Sequence, residues 1–185
     1  MDEYEDLYLS IDLVCFGNRL PFIRLYPFSD VGDYFDKSAL AGVFVSDYPF
    51  HKIFLNTEHL NKKPPDEKIR ILHHEMTHLY CEIQGIQDTE ERDGINFHKR
   101  SFKDAIERNG GKCFYTDDRF GWCDSELTPE KMKKVKSTWN YKKRLYGQNR
   151  GHRKRIKQWL KNMTVRNGIR RKTKNKLSTE NTGKY

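Results

Sequence analysis

The hydrophobic pattern divides the chain into a strand-rich first third and a helical remainder. In LYLSIDLVCF, Leu7, Leu9, Ile11 and Leu13 alternate with polar neighbours. That period of two predicts a half-buried strand, although a short helix also accommodates it. The segments RLPFIRLY, ALAGVFVS and HKIFLN are rich in β-branched and aromatic residues and bounded by Pro, Asp, Asn and Gly. They predict a small sheet within the first 60 residues. Pro64, Pro65 and Asp66 then open a helix. Ile69, Leu72, Met76, Leu79 and Ile83 recur at spacings of three and four, and Gly85 marks the end. Residues 86 to 94 are polar and read as a loop. A second helix is expected over 97 to 108, stopping at Asn109-Gly110-Gly111, followed by an irregular stretch to residue 127. Thr128-Pro129-Glu130 combines a capping hydroxyl, a first-turn proline and an acid at the positive end of the helix dipole. Met132, Val135 and Trp139 give that helix an apolar stripe. RGHRKRIKQWLKNM predicts a further basic helix, and from about Thr164 the composition is that of a disordered segment.

One string carries chemistry. In HHEMTH, residues 73 to 78, His74 and His78 are four apart on the predicted helix. Side chains at that spacing lie on one face a turn apart, so two imidazoles reach a single ion. Glu75 is placed to take a proton from water at a metal, which is general-base work. The set expects one catalytic zinc ion, with three protein ligands and an open fourth position. His51, His59, His98, His152 and several acids could supply the third ligand. His98 fits best, because His98, Phe102 and Ala105 share a helical face that packs against the first helix. His73 lies out of phase and reads as a polar residue beside the site. Cys81 reads as a small buried residue and Glu82 as a solvated one. Tyr80 and Tyr115 read as structural.

Charge is distributed unevenly. Residues 131 to 185 hold 20 Lys and Arg against the single acid Glu180, a net +19; residues 1 to 130 hold 15 basic and 25 acidic residues, a net −10, giving +9 overall. An acidic body with a basic tail points to a polyanionic partner. Trp139, Tyr141, Tyr146 and Trp159 are interleaved with the cations, which suits phosphate neutralisation combined with base stacking. Lys142, Lys143, Arg144, Arg153, Lys154, Arg155, Arg170, Arg171 and Lys172 are the expected nucleic-acid contacts. Cys15, Cys81, Cys113 and Cys123 form no C-x-x-C pair. The acidic start MDEYEDLYLS lacks the form of a signal peptide, and no run approaches the ~18 apolar residues of a membrane span. These features predict a cytoplasmic protein with reduced thiols and no membrane partner.

HEMTHLY, the polar stretch containing ERDG, and the downstream H-x-x-x-F of His98 to Phe102 together resemble the SprT-like metallopeptidases, which include the Spartan proteases. AGVFVS and IFLN resemble the strand pair that precedes the motif helix there, and the likeness spans roughly residues 35 to 110. It implies zinc on His74, His78 and His98, Glu75 as catalytic base, and proteolysis of DNA-associated proteins. Two departures stand out: Lys99 follows the third histidine where many members have Gly, and Cys113 and Cys123 stand where many members carry a four-cysteine zinc ribbon. The expected architecture is α+β. A small N-terminal sheet lies beside a zincin-type HExxH helix and a second ligand-bearing helix within residues 1–127. A basic helical extension (128–163) and a disordered basic tail (164–185) follow. The alternatives are a zinc-containing nucleic-acid-binding or regulatory protein without protease activity, and a zinc hydrolase acting on a non-peptide substrate.

Overall fold

The computed structural model describes residues 2–30 and 41–148, with side chains described at 3–30 and 41–141. The fold is mixed α+β, and among the described residues it contains three small sheets and five α-helices. No helix there is long and apolar enough to cross a membrane.

The chain opens with a helix, α1 (Asp2–Ile11), continued by a π-helical turn, Asp12–Phe16. This corrects the expected strand. Leu7, Leu9, Ile11 and Leu13 do alternate, but Tyr4, Leu7, Tyr8, Ile11, Val14 and Cys15 are the buried set, while Leu13 is exposed. Their spacings of three and four are those of one helix face. Two aromatic side chains that the strand reading left aside therefore decide the matter. Tyr8 is buried with its hydroxyl donating to the Pro21 carbonyl at 2.6 Å, and the Tyr4 hydroxyl donates to Asn61 at 2.9 Å.

The expected N-terminal sheet is present. It comprises β1 (Leu25–Pro27), β2 (Gly42–Val45) and β3 (Lys52–Leu55), in the order β1-β3-β2. β1 runs parallel to the central β3 and β2 antiparallel to it. Ile53 and Leu55 of β3 are fully buried, as alternation on a one-sided sheet requires. Asn56 caps a short helix, α2 (Thr57–Asn61), by accepting from the His59 amide.

The long helix α3 (Pro65–Gln84) has Pro65 in its first turn, Asp66 and Glu67 beside it, and Gly85 in the left-handed conformation at its end. Ile69, Leu72, Met76 and Leu79 are buried; Ile83, expected on the same flank, is exposed because the core has ended by the last turn. The stretch after it differs from the expected loop. Residues 89 to 98 form a hairpin of β4 (Thr89–Arg92) and β5 (Ile95–His98), turning at Asp93-Gly94, both at positive φ. Asp-Gly is a strong signal for such a turn, but TEER lacks the apolar alternation that would have exposed the strand. His98 consequently ends a strand, and the following helix, α4 (Arg100–Arg108), begins after it. The expected irregular segment up to residue 127 contains a second hairpin, β6 (Gly111–Phe114) with β7 (Asp124–Leu127).

The last described helix, α5 (Pro129–Gln148), starts at Thr128 as expected, its hydroxyl accepting from the Lys131 amide at 3.4 Å. Val135 and Trp139 are buried and join the main core with residues of α1, α3 and the sheet, and Met132 packs against it. Lys131 donates to the Val14 carbonyl at 2.6 Å. The compact unit runs from Met1 to Tyr141, so the first turns of α5 belong to it. Removing a buried tryptophan costs about 3–5 kcal/mol. Trp139→Ala is therefore expected to lower unfolding stability by that amount in urea denaturation. A change under about 1 kcal/mol would show that α5 is not part of the core.

Candidate metal centre

His74 and His78 project from the same face of α3, one turn apart, and β5 brings His98 to them. The Nε2 atoms of His74 and His78 are 3.2 Å apart, and so are those of His78 and His98. One ligand atom from each of the three lies within 4.8 Å of the others. Two nitrogens at Zn–N distances of about 2.0–2.1 Å in a tetrahedral site stand roughly 3.3 Å from each other. The triad thus has the spacing of ligands around one small ion. It is the sole grouping of three metal-capable residues among the described ones.

The opposite ring nitrogens are all engaged. Nδ1 of His78 meets Oδ2 of Asp88 at 2.7 Å, Nδ1 of His98 meets the Phe120 carbonyl at 3.2 Å, and Nδ1 of His74 meets the Ser125 hydroxyl at 3.5 Å. A hydrogen donated from Nδ1 to Asp88 or the Phe120 carbonyl leaves the Nε2 lone pair free to ligate. Phe102 forms the floor, with its ring centroid 4.8, 4.5 and 4.8 Å from those of His74, His78 and His98. Phe44 of β2 stacks on the far side of His78. This apolar enclosure disfavours imidazolium. Burial, then the neighbouring His78 and His98, hold His74 well below its ordinary pKa. Burial and then His78 lower His98 to about 4. Neutral imidazole is the form a metal requires.

Glu75 lies on α3 between the two helical ligands and is buried. Burial raises the pKa of its carboxyl, while His78 and the backbone amide of Phe44 act in the opposite direction. Gly42 makes room for it: a Cβ there would stand 3.0 Å from Glu75 Cγ. The Glu75 side chain therefore packs against β2, an edge strand among the described residues.

His98 is placed by backbone contacts. Its amide donates to the Phe120 carbonyl at 3.0 Å, and its carbonyl accepts from the Trp122 amide at 3.1 Å. Gly121 lies between those partners at φ +68, where a Cβ would be 2.3 Å from the His98 carbonyl oxygen. No side chain fits there without moving the ligand strand.

The other predicted residues fall elsewhere. His73 is buried against Phe16 with ring centroids 5.4 Å apart, and burial lowers its pKa to about 4. His51 packs against Phe44 with the rings tilted, and His59 sits on α2. Cys81 is fully buried, and the exposed Glu82 accepts from Ser46 at 2.8 Å. Tyr80 packs against Phe16, and Tyr115 donates to Asp118 at 2.5 Å. The four cysteines are free; Cys113 donates to the Trp122 carbonyl and Cys123 lies 3.3 Å from Thr116 Oγ1. Lys142, Lys143 and Arg144 belong to the last turns of α5, where side chains are not described. Arg153, Lys154, Arg155, Arg170, Arg171, Lys172 and His152 lie outside the described residues. Asp88, Ser125, Gly42 and Gly121 were not singled out from sequence. Each acts through a contact distant along the chain or through its backbone, and no spacing rule marks such residues.

The chain matches no protein-family model, no curated protein and no solved structure.

Gly121→Ala combines a disfavoured φ with overpacking, which together cost about 2–4 kcal/mol. The variant is expected to lose that stability in urea titration and to bind zinc more weakly in competition with a chromophoric chelator. Retention of both properties would show that His98 is not held by the 120–122 segment.

Proposed function

We propose that this chain is a zinc-dependent metalloendopeptidase of SprT-like type acting on DNA-associated proteins. The observation that carries the reading is the convergence of three Nε2 atoms, each with its Nδ1 engaged, next to a buried carboxylate on the helix that carries two of them. Three histidines leave a fourth position open, which suits a catalytic zinc; structural zinc is usually closed by four protein ligands. Zinc held there supplies Lewis acidity toward a scissile carbonyl and toward water.

The chain's own residues supply the remainder. Glu75 takes a proton from the attacking water and returns it to the leaving amine. It packs against Gly42 and lies by the Phe44 amide of β2. Phe102 and Phe44 limit water around the ligands, which strengthens electrostatic effects there. The edge of β2 offers backbone groups on which an extended peptide can add as a further strand, alongside Glu75. The +19 segment from residue 131 supplies the charge for DNA, with binding expected to weaken as salt rises.

The decisive experiment is cleavage of a basic DNA-binding protein by the full chain, with and without single-stranded DNA. Wild type and Glu75→Gln are compared at matched zinc content. Loss of a general base costs about 10²–10⁴ in rate. Glu75→Gln is therefore expected to hold zinc and lose DNA-stimulated cleavage by at least ~10²-fold. Zinc and DNA binding without cleavage by either form overturns the protease reading in favour of a zinc-containing nucleic-acid-binding protein. Exhaustive chelation of wild type should likewise abolish cleavage, and stoichiometric zinc should restore it. Activity that survives complete zinc removal would contradict the assigned cofactor.

A further inference from the structure

We infer that Asp88 is the positioning residue of the metal centre, orienting His78 and setting the affinity of the site; this rests on the metal reading above. His78 is the hub of the triad, because its Nε2 lies 3.2 Å from that of each of the other two histidines. A small rotation of this ring disturbs both ligand pairs at once. Of the three Nδ1 contacts, the one at His78 is the shortest and the only one made to a carboxylate; the others go to a carbonyl and a hydroxyl. A carboxylate acceptor fixes the tautomer, aims the ring and makes Nε2 a stronger donor to a cation. The two side chains are 13 % and 16 % exposed, so water screens the contact little.

Asp88 is itself placed by both ligand-bearing elements. The buried thiol of Cys81, one turn beyond His78 on α3, lies near its carboxylate. The Asp88 carbonyl accepts from the amide of Lys99, the residue after His98, at 2.8 Å. The next residue, Thr89, pairs with His98 across the hairpin. Ser101 further ties this stretch to the start of α4 by donating to the Gln87 carbonyl at 2.7 Å. The backbone of Asp88 is therefore fixed at the end of β5, while its side chain lies beside α3, the two elements whose registration brings the histidines together.

The test measures zinc affinity of the full chain by chelator competition and the absorption spectrum of the cobalt-substituted protein. Wild type, Asp88→Ala and Asp88→Asn are compared, together with the unfolding midpoint of each metal-free form. Loss of such a partner typically weakens metal binding 10–100-fold. Asp88→Ala is expected within that range. Asp88→Asn keeps the size and an acceptor oxygen, so it is expected to recover part of the loss and, at saturating cobalt, to keep the tetrahedral spectrum. Asp88→Asn also guards against an alanine variant that does not fold. A merely structural residue would lower the metal-free midpoint in both variants and leave the affinity of the folded protein unchanged. Zinc affinity within twofold of wild type in the folded variants overturns the assignment of Asp88 alone. Failure of wild type to bind either zinc or cobalt overturns the metal centre itself, and this assignment with it.

Discussion

Three imidazoles that face one another are the constraint around which the described site is arranged. Free in water, such rings would turn apart and take up protons below pH ~6.5. Here burial keeps His74 and His98 in the basic form, and hydrogen bonds at Nδ1 direct the three Nε2 atoms inward. The cost of ordering these side chains is borne by the rest of the structure. Phe102 supplies an apolar floor, and the core of α1, α3, α5 and the sheet fixes the helix that carries two of the histidines.

Each secondary element near the site has a distinct part in meeting that constraint. α3 sets the distance between His74 and His78 through its pitch alone. The β4–β5 hairpin carries His98 back to the helix, and its turn at Asp93-Gly94 sets the register in which Thr89 faces His98. The β6–β7 hairpin and its connecting loop contribute the Phe120 carbonyl, the Gly121 contact and Ser125. The β2 edge covers Glu75 from the other side. Two polar hairpins, both without a conspicuous hydrophobic pattern, thus position most of what surrounds the three histidines.

Sequence was most informative where a residue's role depends on local spacing. The i, i+4 histidines, the Pro65 start and Gly85 stop of α3, the Thr128 cap of α5 and the strands around residues 25–27, 42–45 and 52–55 follow rules that operate within a few residues. It was least informative where two periods competed or burial was one-sided. Leu7 to Leu13 satisfied a strand period, yet Tyr4 and Tyr8 completed the helical face that the core selects. The hairpin at 89–98 escaped notice because strand pairing, not apolar alternation, holds it.

The residues themselves determined the chemistry: two imidazoles and a carboxylate on one helix face, a third histidine followed at i+4 by phenylalanine, and a segregated run of positive charge. These are properties of side-chain type and helical pitch, which no tertiary contact alters. The folded chain alone decided that His98 ends a strand, that Gly121 stands where a Cβ would collide and Gly42 where one would crowd Glu75, and that Asp88 reaches His78. Those outcomes depend on hairpin register and on contacts that join segments through the folded backbone. Such contacts form only when burial of the core brings the segments together, so they leave no periodic trace in the sequence.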